Sequence, residues 1–214
     1  MAFKGWPATA LEFYEGLEAD NSKVYWNDNK HVYEQHVRSP MEALLAELAG
    51  EFGEGKIFRP YRDVRFSADK APYKTACGAT VGEGYVQISA DGLFVGSGMY
   101  HLMPDQLVRY RSAVAAEGTG RELETIVRKL TKSGLDVHGT DALKTAPKGY
   151  PKDHPRVEFL RYKGIVAAKQ FPTAAWLGTA KSKNEITKVL RASAPLNAWL
   201  AANVGPTEAD PSRR

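Results

Sequence analysis

The sequence predicts an α+β fold in which a central antiparallel sheet is packed by N-terminal and C-terminal helices. Apolar residues recur with a helical period before Gly53 and again after Pro104. Between these regions Tyr85–Ser89 alternates in polarity, and Asp91-Gly92 separates it from another apolar run, which is typical of a β-hairpin. No internal repeat or composition break divides the chain, so residues 1–204 are predicted to form one domain.

The N-terminal third is predicted to contain three helices. The first follows Pro7 and has its apolar residues at helical spacing: Ala10, Phe13, Tyr14 and Leu17. Asp20-Asn21-Ser22 ends it and caps the second helix, which is predicted to stop before Pro40 because the residue before a proline disfavours helical geometry. A third helix begins at Met41 and carries a leucine-rich stripe.

The remaining elements follow from local composition. Ile57–Ser67 is rich in aromatic and β-branched residues and is predicted to contain a strand over Arg59–Phe66. Pro104 opens a helix, a second helix follows and ends near Gly134, and a short strand is expected near Leu135–His138. Another helix is predicted to start at Pro155, and a last amphipathic helix carries apolar residues from Ile186 to Leu200. Residues 205–214 contain no apolar anchor and are predicted to be a disordered tail.

Composition excludes several classes of protein. The 214 residues are 43% hydrophobic and 25% charged, which is ordinary for a globular protein and excludes general disorder. No apolar run reaches the roughly 20 residues that span a bilayer, so no membrane association is expected. The first 17 residues contain Glu12 and Glu15 and no apolar core of a secretory signal. Cys77 is the single cysteine, which is typical of a reducing compartment, and a cytoplasmic location is expected.

Positive charge is concentrated in two segments of a chain whose net charge is +4. Residues 56–74 and residues 144–163 each contain six cations against two carboxylates. Such clustering predicts an anionic partner, although a solvated basic surface has the same composition.

The first basic segment contains the densest set of candidate binding residues. On a strand, Arg59, Asp63 and Arg65 would share one face, and the loop after it would add two lysines beside them. Arginines in such an array present forked donors that suit a carboxylate or a phosphate. The predicted ligand-binding residues of this segment are Arg59, Arg62, Arg65, Lys70 and Lys74. The alternative is that Asp63 pairs with the arginines in a closed structural network.

The second basic segment adds Lys148, His154 and Arg161 as candidates. On a helix that starts near Pro155, His154, Glu158 and Arg161 would share one face. We therefore predict that Lys148 and Arg161 join the first segment in one binding site. The alternative for His154 is a simple helix cap.

Familiar catalytic and cofactor motifs are absent from the sequence. There is no nucleophile elbow, phosphate-binding loop, zinc-protease helix or dinucleotide fingerprint. The histidines are scattered and Cys77 has no neighbouring histidine, so neither a metal site nor a cofactor is predicted and Cys77 is expected to be a buried thiol.

Several motifs carry a family resemblance. The run RPYRDVRFSADKAPYK at 59–74 is similar to the hallmark of an uncharacterised, mainly bacterial domain-of-unknown-function family, and LKTAPKGYPKDHP at 143–155 fits a later motif of that family. The resemblance extends from Leu11 to Phe171. The family usually has paired asparagines where this chain has Asp20-Asn21, and a Trp-Phe pair where it has Tyr25-Trp26. The resemblance marks residues and implies no activity.

Three functions are compatible with these residues. The first is binding of a small phosphate- or carboxylate-bearing ligand by the arginines and lysines. The second is a hydrolase or transferase acting on such a ligand, with His154 or Asp63 as the catalytic acid or base. The third is nucleic-acid binding, in which aromatic residues between the cations stack on bases; the modest net charge makes it weaker than the first.

Overall fold

The computed structural model describes residues 2–208 and has an α+β fold, as predicted. The helices are α1 (Ala8–Ala19), α2 (Lys23–Val32), α3 (Ser39–Phe52), α4 (Pro104–Ala115), α5 (Glu117–Lys132), α6 (Val157–Arg161) and α7 (Lys181–Asn203). The strands are β1 (Gly55–Ile57), β2 (Ala76–Val81), β3 (Gly84–Ser89), β4 (Gly92–Met99), β5 (Asp136–Gly139) and β6 (Ile165–Phe171). The described residues form one six-stranded antiparallel sheet with the order β1-β2-β3-β4-β6-β5.

The N-terminal helices differ from the prediction at Pro40. Ser22 caps α2 as expected, with its Oγ accepting from the Tyr25 amide at 3.1 Å. Helical structure does not end before Pro40, however, because a π-helical turn over Tyr33–Arg38 joins α2 directly to α3. A proline ring collides with the carbonyl four residues earlier in a regular α-helix. The wider turn, in which the Ser39 amide donates to Glu34 O, relieves this conflict and keeps the chain helical.

Tight turns set the register of the central strands. β2 and β3 pair from Ala76↔Ser89 to Val81↔Gly84, and β1 pairs with β2 at the sheet edge. The predicted Asp91-Gly92 turn joins β3 to β4. Gly92 has a φ of +102°, and a Cβ there would lie 2.4 Å from the Phe171 carbonyl oxygen, so both geometry and space require glycine. β2 and β6 were not predicted, and the strand predicted over Arg59–Phe66 is wrong because those residues form an irregular loop.

The described chain divides into two compact units. The first contains residues 2–95 and 170–188, where α1 and α3 pack on β1–β3 over a core that includes Trp6, Tyr14, Leu17 and Leu44. The second contains residues 96–169 and 189–208, where α4 packs against α5 and α6 and Tyr110 and Leu123 are buried. A single domain over residues 1–204 therefore stays a prediction.

The C-terminal residues continue past α7. Thr207 and Glu208 donate hydrogen bonds to Asp105 of α4 at 2.8 and 2.9 Å. Of the predicted tail, residues 209–214 lie outside the described residues. Within residues 2–208, no helix has both the length and the apolar character needed to cross a membrane.

Candidate functional site

The first basic segment folds as a long loop over residues 59–74, here called the arginine loop. Its two ends form a narrow neck, in which the Arg62 amide donates to Pro72 O at 2.9 Å and the Lys74 amide donates to Pro60 O at 2.8 Å. Tyr61 and Tyr73 form an isolated antiparallel bridge at this neck. The neck therefore brings Arg62 and Lys74 together, although twelve positions separate them in sequence.

An aspartate side chain explains why the predicted strand over Arg59–Phe66 does not form. Asp63 Oδ1 accepts from the Arg65 amide at 3.3 Å, and this local bond takes a backbone donor that a strand would offer to its neighbour. Later in the loop, Asp69 Oδ1 accepts from the Ala71 amide at 2.9 Å. Aromatic and β-branched composition is thus outweighed by turn chemistry in this segment.

Ion pairs stabilise the tip of the arginine loop. Arg65 donates to both oxygens of Asp63, from Nε at 2.9 Å and from Nη2 at 2.7 Å, while Arg62 pairs with Asp69. Lys70 Nζ donates to the Val64 carbonyl oxygen at 3.0 Å. Hydrogen bonds from Arg65 lower the pKa of Asp63, and the Arg62 side chain lowers the pKa of Asp69. Asp63 thus pairs with one arginine of the proposed network, Arg65.

The base of the loop is attached to the N-terminal helices. Asn21 Nδ2 donates to the Tyr73 carbonyl oxygen at 3.2 Å, and the Tyr73 amide donates back to Asn21 Oδ1 at 3.0 Å. The Trp26 ring stacks flat on Tyr73, with centroids 4.4 Å apart and planes inclined by 8°. The contact of Asn21 with Tyr73 was not predicted from the sequence, because 52 positions separate the two residues.

A cleft of about 620 Å³ opens beside the neck of the loop within the first unit. Among the predicted binding residues it is lined by Arg62 and Lys74, and the Lys74 ammonium lies 5.4 Å from the centroid of the Phe58 ring. The lining consists of Glu18, Asn21, Phe58, Arg62, Asp69, Ala71, Tyr73, Lys74, Thr75, Ala76, Gly78, Tyr85 and Gln87. Arg59, Asp63, Arg65 and Lys70 do not line it.

Cys77 follows the loop on β2 and is buried, as expected. Burial is the main cause that raises the pKa of its thiol, to about 12. A thiol with so high a pKa stays protonated near neutral pH and is a poor nucleophile.

The second basic segment lies in the second unit and differs from its prediction. The helix predicted to start at Pro155 begins at Val157, because a turn precedes it in which His154 Nδ1 accepts from the Arg156 amide at 3.0 Å. Arg161 donates to Leu143 O at 2.5 Å and to Glu158 at 2.8 Å, while Lys148 is exposed. His154 makes this local hydrogen bond but does not cap α6, whose N-cap is Arg156 and receives no side-chain bond. The meeting of the two basic segments stays a prediction.

Arg156 is a structural residue that was not singled out from the sequence. Its side chain is 4% exposed and donates to the carbonyl oxygens of Val114 and Ala115 at the end of α4, at 2.7 and 3.1 Å. It also pairs with Glu117 and Glu124 of α5. Its sequence context resembles that of the solvated lysines around it, so only its distant partners reveal the role.

The metal-ligating residue types are dispersed. Among residues 2–208, no three histidine, cysteine, aspartate or glutamate side chains are grouped so that they could hold a metal ion.

The chain is similar to solved structures of uncharacterised proteins. An uncharacterized protein from Methanothermobacter thermautotrophicus is 12% identical over 78% of this chain and 99% of its own, with a TM-score of 0.42. A conserved hypothetical protein from Pyrococcus furiosus is 14% identical over 79% and 98%, with a TM-score of 0.38. No curated protein matches the sequence. The family described as "Conserved hypothetical protein (DUF2461)" matches residues 9–199, and the chain therefore belongs to that family.

Proposed function

We propose that the cleft beside the arginine loop binds a small ligand that carries a carboxylate or phosphate group. The observation that carries this proposal is the convergence of Arg62 and Lys74 on one cleft of about 620 Å³. Ligand sites commonly have volumes of about 300–1,000 Å³ and combine apolar walls with a few polar groups.

The two cations retain capacity to bind an anion. Within residues 2–208, Lys74 makes no ion pair and has Phe58 beneath its ammonium group. Arg62 donates to Asp69 from one nitrogen, and a guanidinium carries five N–H donors. Glu18 also lines the cleft, which favours a ligand that has a hydroxyl or amino donor besides its anionic group.

A thermal-shift titration with inorganic phosphate, glucose phosphate, a nucleoside monophosphate and malate tests the proposal. A ligand at about 100 times its Kd adds roughly 2.7 kcal/mol, which corresponds to about 5–10 °C in a domain of this size. The double variant Arg62→Met, Lys74→Met is expected to lose this shift.

The matched control is the double variant Arg65→Met, Lys70→Met, which removes the same charge from loop residues outside the cleft. It is expected to keep the shift. Equal loss in both variants, or the absence of any shift with the unaltered protein, would contradict the proposal.

A further inference from the structure

The arginine loop presents two aromatic rings to solvent. Phe66, at its tip, is 96% exposed, and Tyr61, in its neck, is 46% exposed. Phe66 and Tyr61 do not line the cleft, so their exposure is separate from the proposed ligand site. Apolar side chains exposed together on a folded protein often mark an interaction surface.

The same loop carries positive charge that carboxylates do not neutralise. Both of its aspartates are engaged, Asp63 by Arg65 and Asp69 by Arg62. Arg59 and Lys70 are exposed, and in the part of the chain that the structure describes neither forms an ion pair. A partner that combines negative charge with planar surfaces able to stack on rings would be complementary to this loop.

Tyr61 is anchored by the fold although nearly half of it is exposed. It lies in the neck, with its centroid 5.5 Å from Tyr73 and 5.9 Å from Trp26. An anchored ring loses less conformational entropy when a partner stacks on it. Phe66 is not anchored in this way, and its ring centroid lies 5.8 Å from the exposed Arg65 guanidinium.

We propose that the arginine loop binds single-stranded nucleic acid, with Phe66 and Tyr61 stacking on bases and with Arg59 and Lys70 contacting phosphates. Single strands expose both kinds of group, since unpaired bases present their faces and the backbone repeats its charge. A duplex hides its base faces, so single strands are expected to bind more tightly. This proposal does not depend on the small-ligand function of the cleft.

Fluorescence anisotropy with labelled oligothymidylate and oligouridylate provides the test. Phe66→Ala is expected to weaken binding about tenfold, because removal of one stacking ring commonly has an effect of this order. Arg59→Met combined with Lys70→Met is expected to reduce the slope of log K against log salt by about 1.4, the loss of two phosphate contacts on a single strand.

Tyr100→Ala is the control, because Tyr100 is a comparably exposed aromatic residue, at 76%, outside the loop. The affinity of the Tyr100→Ala variant for the oligonucleotides is expected to match that of the unaltered protein. Circular dichroism checks that each variant is folded. The proposal would be overturned if heparin bound as tightly as the oligonucleotides and the Phe66→Ala variant bound the oligonucleotides with unchanged affinity. It would also be overturned by no binding at all, or by Phe66-dependent binding to vesicles with anionic lipids in place of the oligonucleotides.

Discussion

Arginine side chains of the two basic segments have different roles in this protein. Arg156 is buried and its guanidinium satisfies carbonyl oxygens at the C-terminal end of α4. Arg65 is 76% exposed and forms an ion pair with Asp63, two positions before it. A buried cation that satisfies backbone groups contributes to stability, whereas an exposed ion pair typically contributes about 0–1 kcal/mol.

Arg156→Met is expected to lower the free energy of unfolding by about 2–3 kcal/mol, because the carbonyl oxygens of α4 lose charged donors while methionine fills most of the space. Urea denaturation measures the change. Arg121→Met is the control, since Arg121 also pairs with Glu117 but is 73% exposed, and a change below about 1 kcal/mol is expected. Equal effects in the two variants would show that the buried hydrogen bonds of Arg156 contribute nothing beyond the ion pair.

At the scale of elements, the arginine loop is attached at its base and exposed at its tip. Asn21 makes two hydrogen bonds to the backbone of Tyr73, and Trp26 covers one face of the Tyr73 ring. These contacts connect the start of α2 to the end of the loop, and they hold Tyr73 and Lys74 where they line the cleft.

Asn21→Ala is expected to speed amide exchange across residues 59–74 and to destabilise the protein by about 1–2 kcal/mol, because two hydrogen bonds are lost. Asn29→Ala is the matched control. Asn29 donates to Tyr25 O within α2 at 2.9 Å, so its loss leaves the loop attached. Hydrogen exchange followed by mass spectrometry distinguishes the two variants. If exchange in the loop is unchanged in Asn21→Ala, Asn21 does not anchor it.

The sequence predicted those elements whose determinants are local. The Asp91-Gly92 turn and the cap at Ser22 depend on adjacent residues, and both formed as expected. The strand predicted over Arg59–Phe66 does not form because Asp63 accepts from the Arg65 amide, a local bond that composition does not reveal. β6 pairs with β5, whose residues lie 26–32 positions earlier in the sequence, so adjacent residues do not specify this strand. Of the predicted binding residues, Arg62 and Lys74 both line the cleft, because their amides donate to Pro72 O and Pro60 O across the loop neck.

At the scale of the whole molecule, α4, near the start of the second unit, is joined to residues 204–208 at the end of that unit. Asp105 accepts from the Glu208 amide and the Thr207 hydroxyl, and Arg109 donates to the carbonyl oxygens of Val204 and Pro206. The Glu208 amide is the main cause that lowers the pKa of Asp105, to about 2. The charged carboxylate therefore stabilises the folded state.

This pKa predicts how stability depends on pH. In the unfolded chain the Asp105 carboxyl has a pKa of about 3.9. The contribution of Asp105 to the stability of the folded state is therefore complete above that pH and disappears as the pH falls through about 2. Asp105→Asn is expected to lower Tm at pH 5, and the difference from the unaltered protein is expected to shrink toward pH 2. Calorimetry over this range checks it. A difference in Tm that stays constant with pH would mean that the charge of Asp105 is not involved.

The π-helical turn over Tyr33–Arg38 has a consequence for how the N-terminal helices tolerate changes in length. A π turn holds one residue more than the α-helical turn it replaces. Deleting that residue would make the turn α-helical and would set the Pro40 ring against the carbonyl oxygen four positions before it, a conflict that kinks or breaks a helix. A kink there would move α3, whose Leu44 and Leu48 are buried in the core of the first unit. The packing of the leucine stripe thus depends on the number of residues in the turn before it, and a chain shortened by one residue in this turn is expected to be less stable.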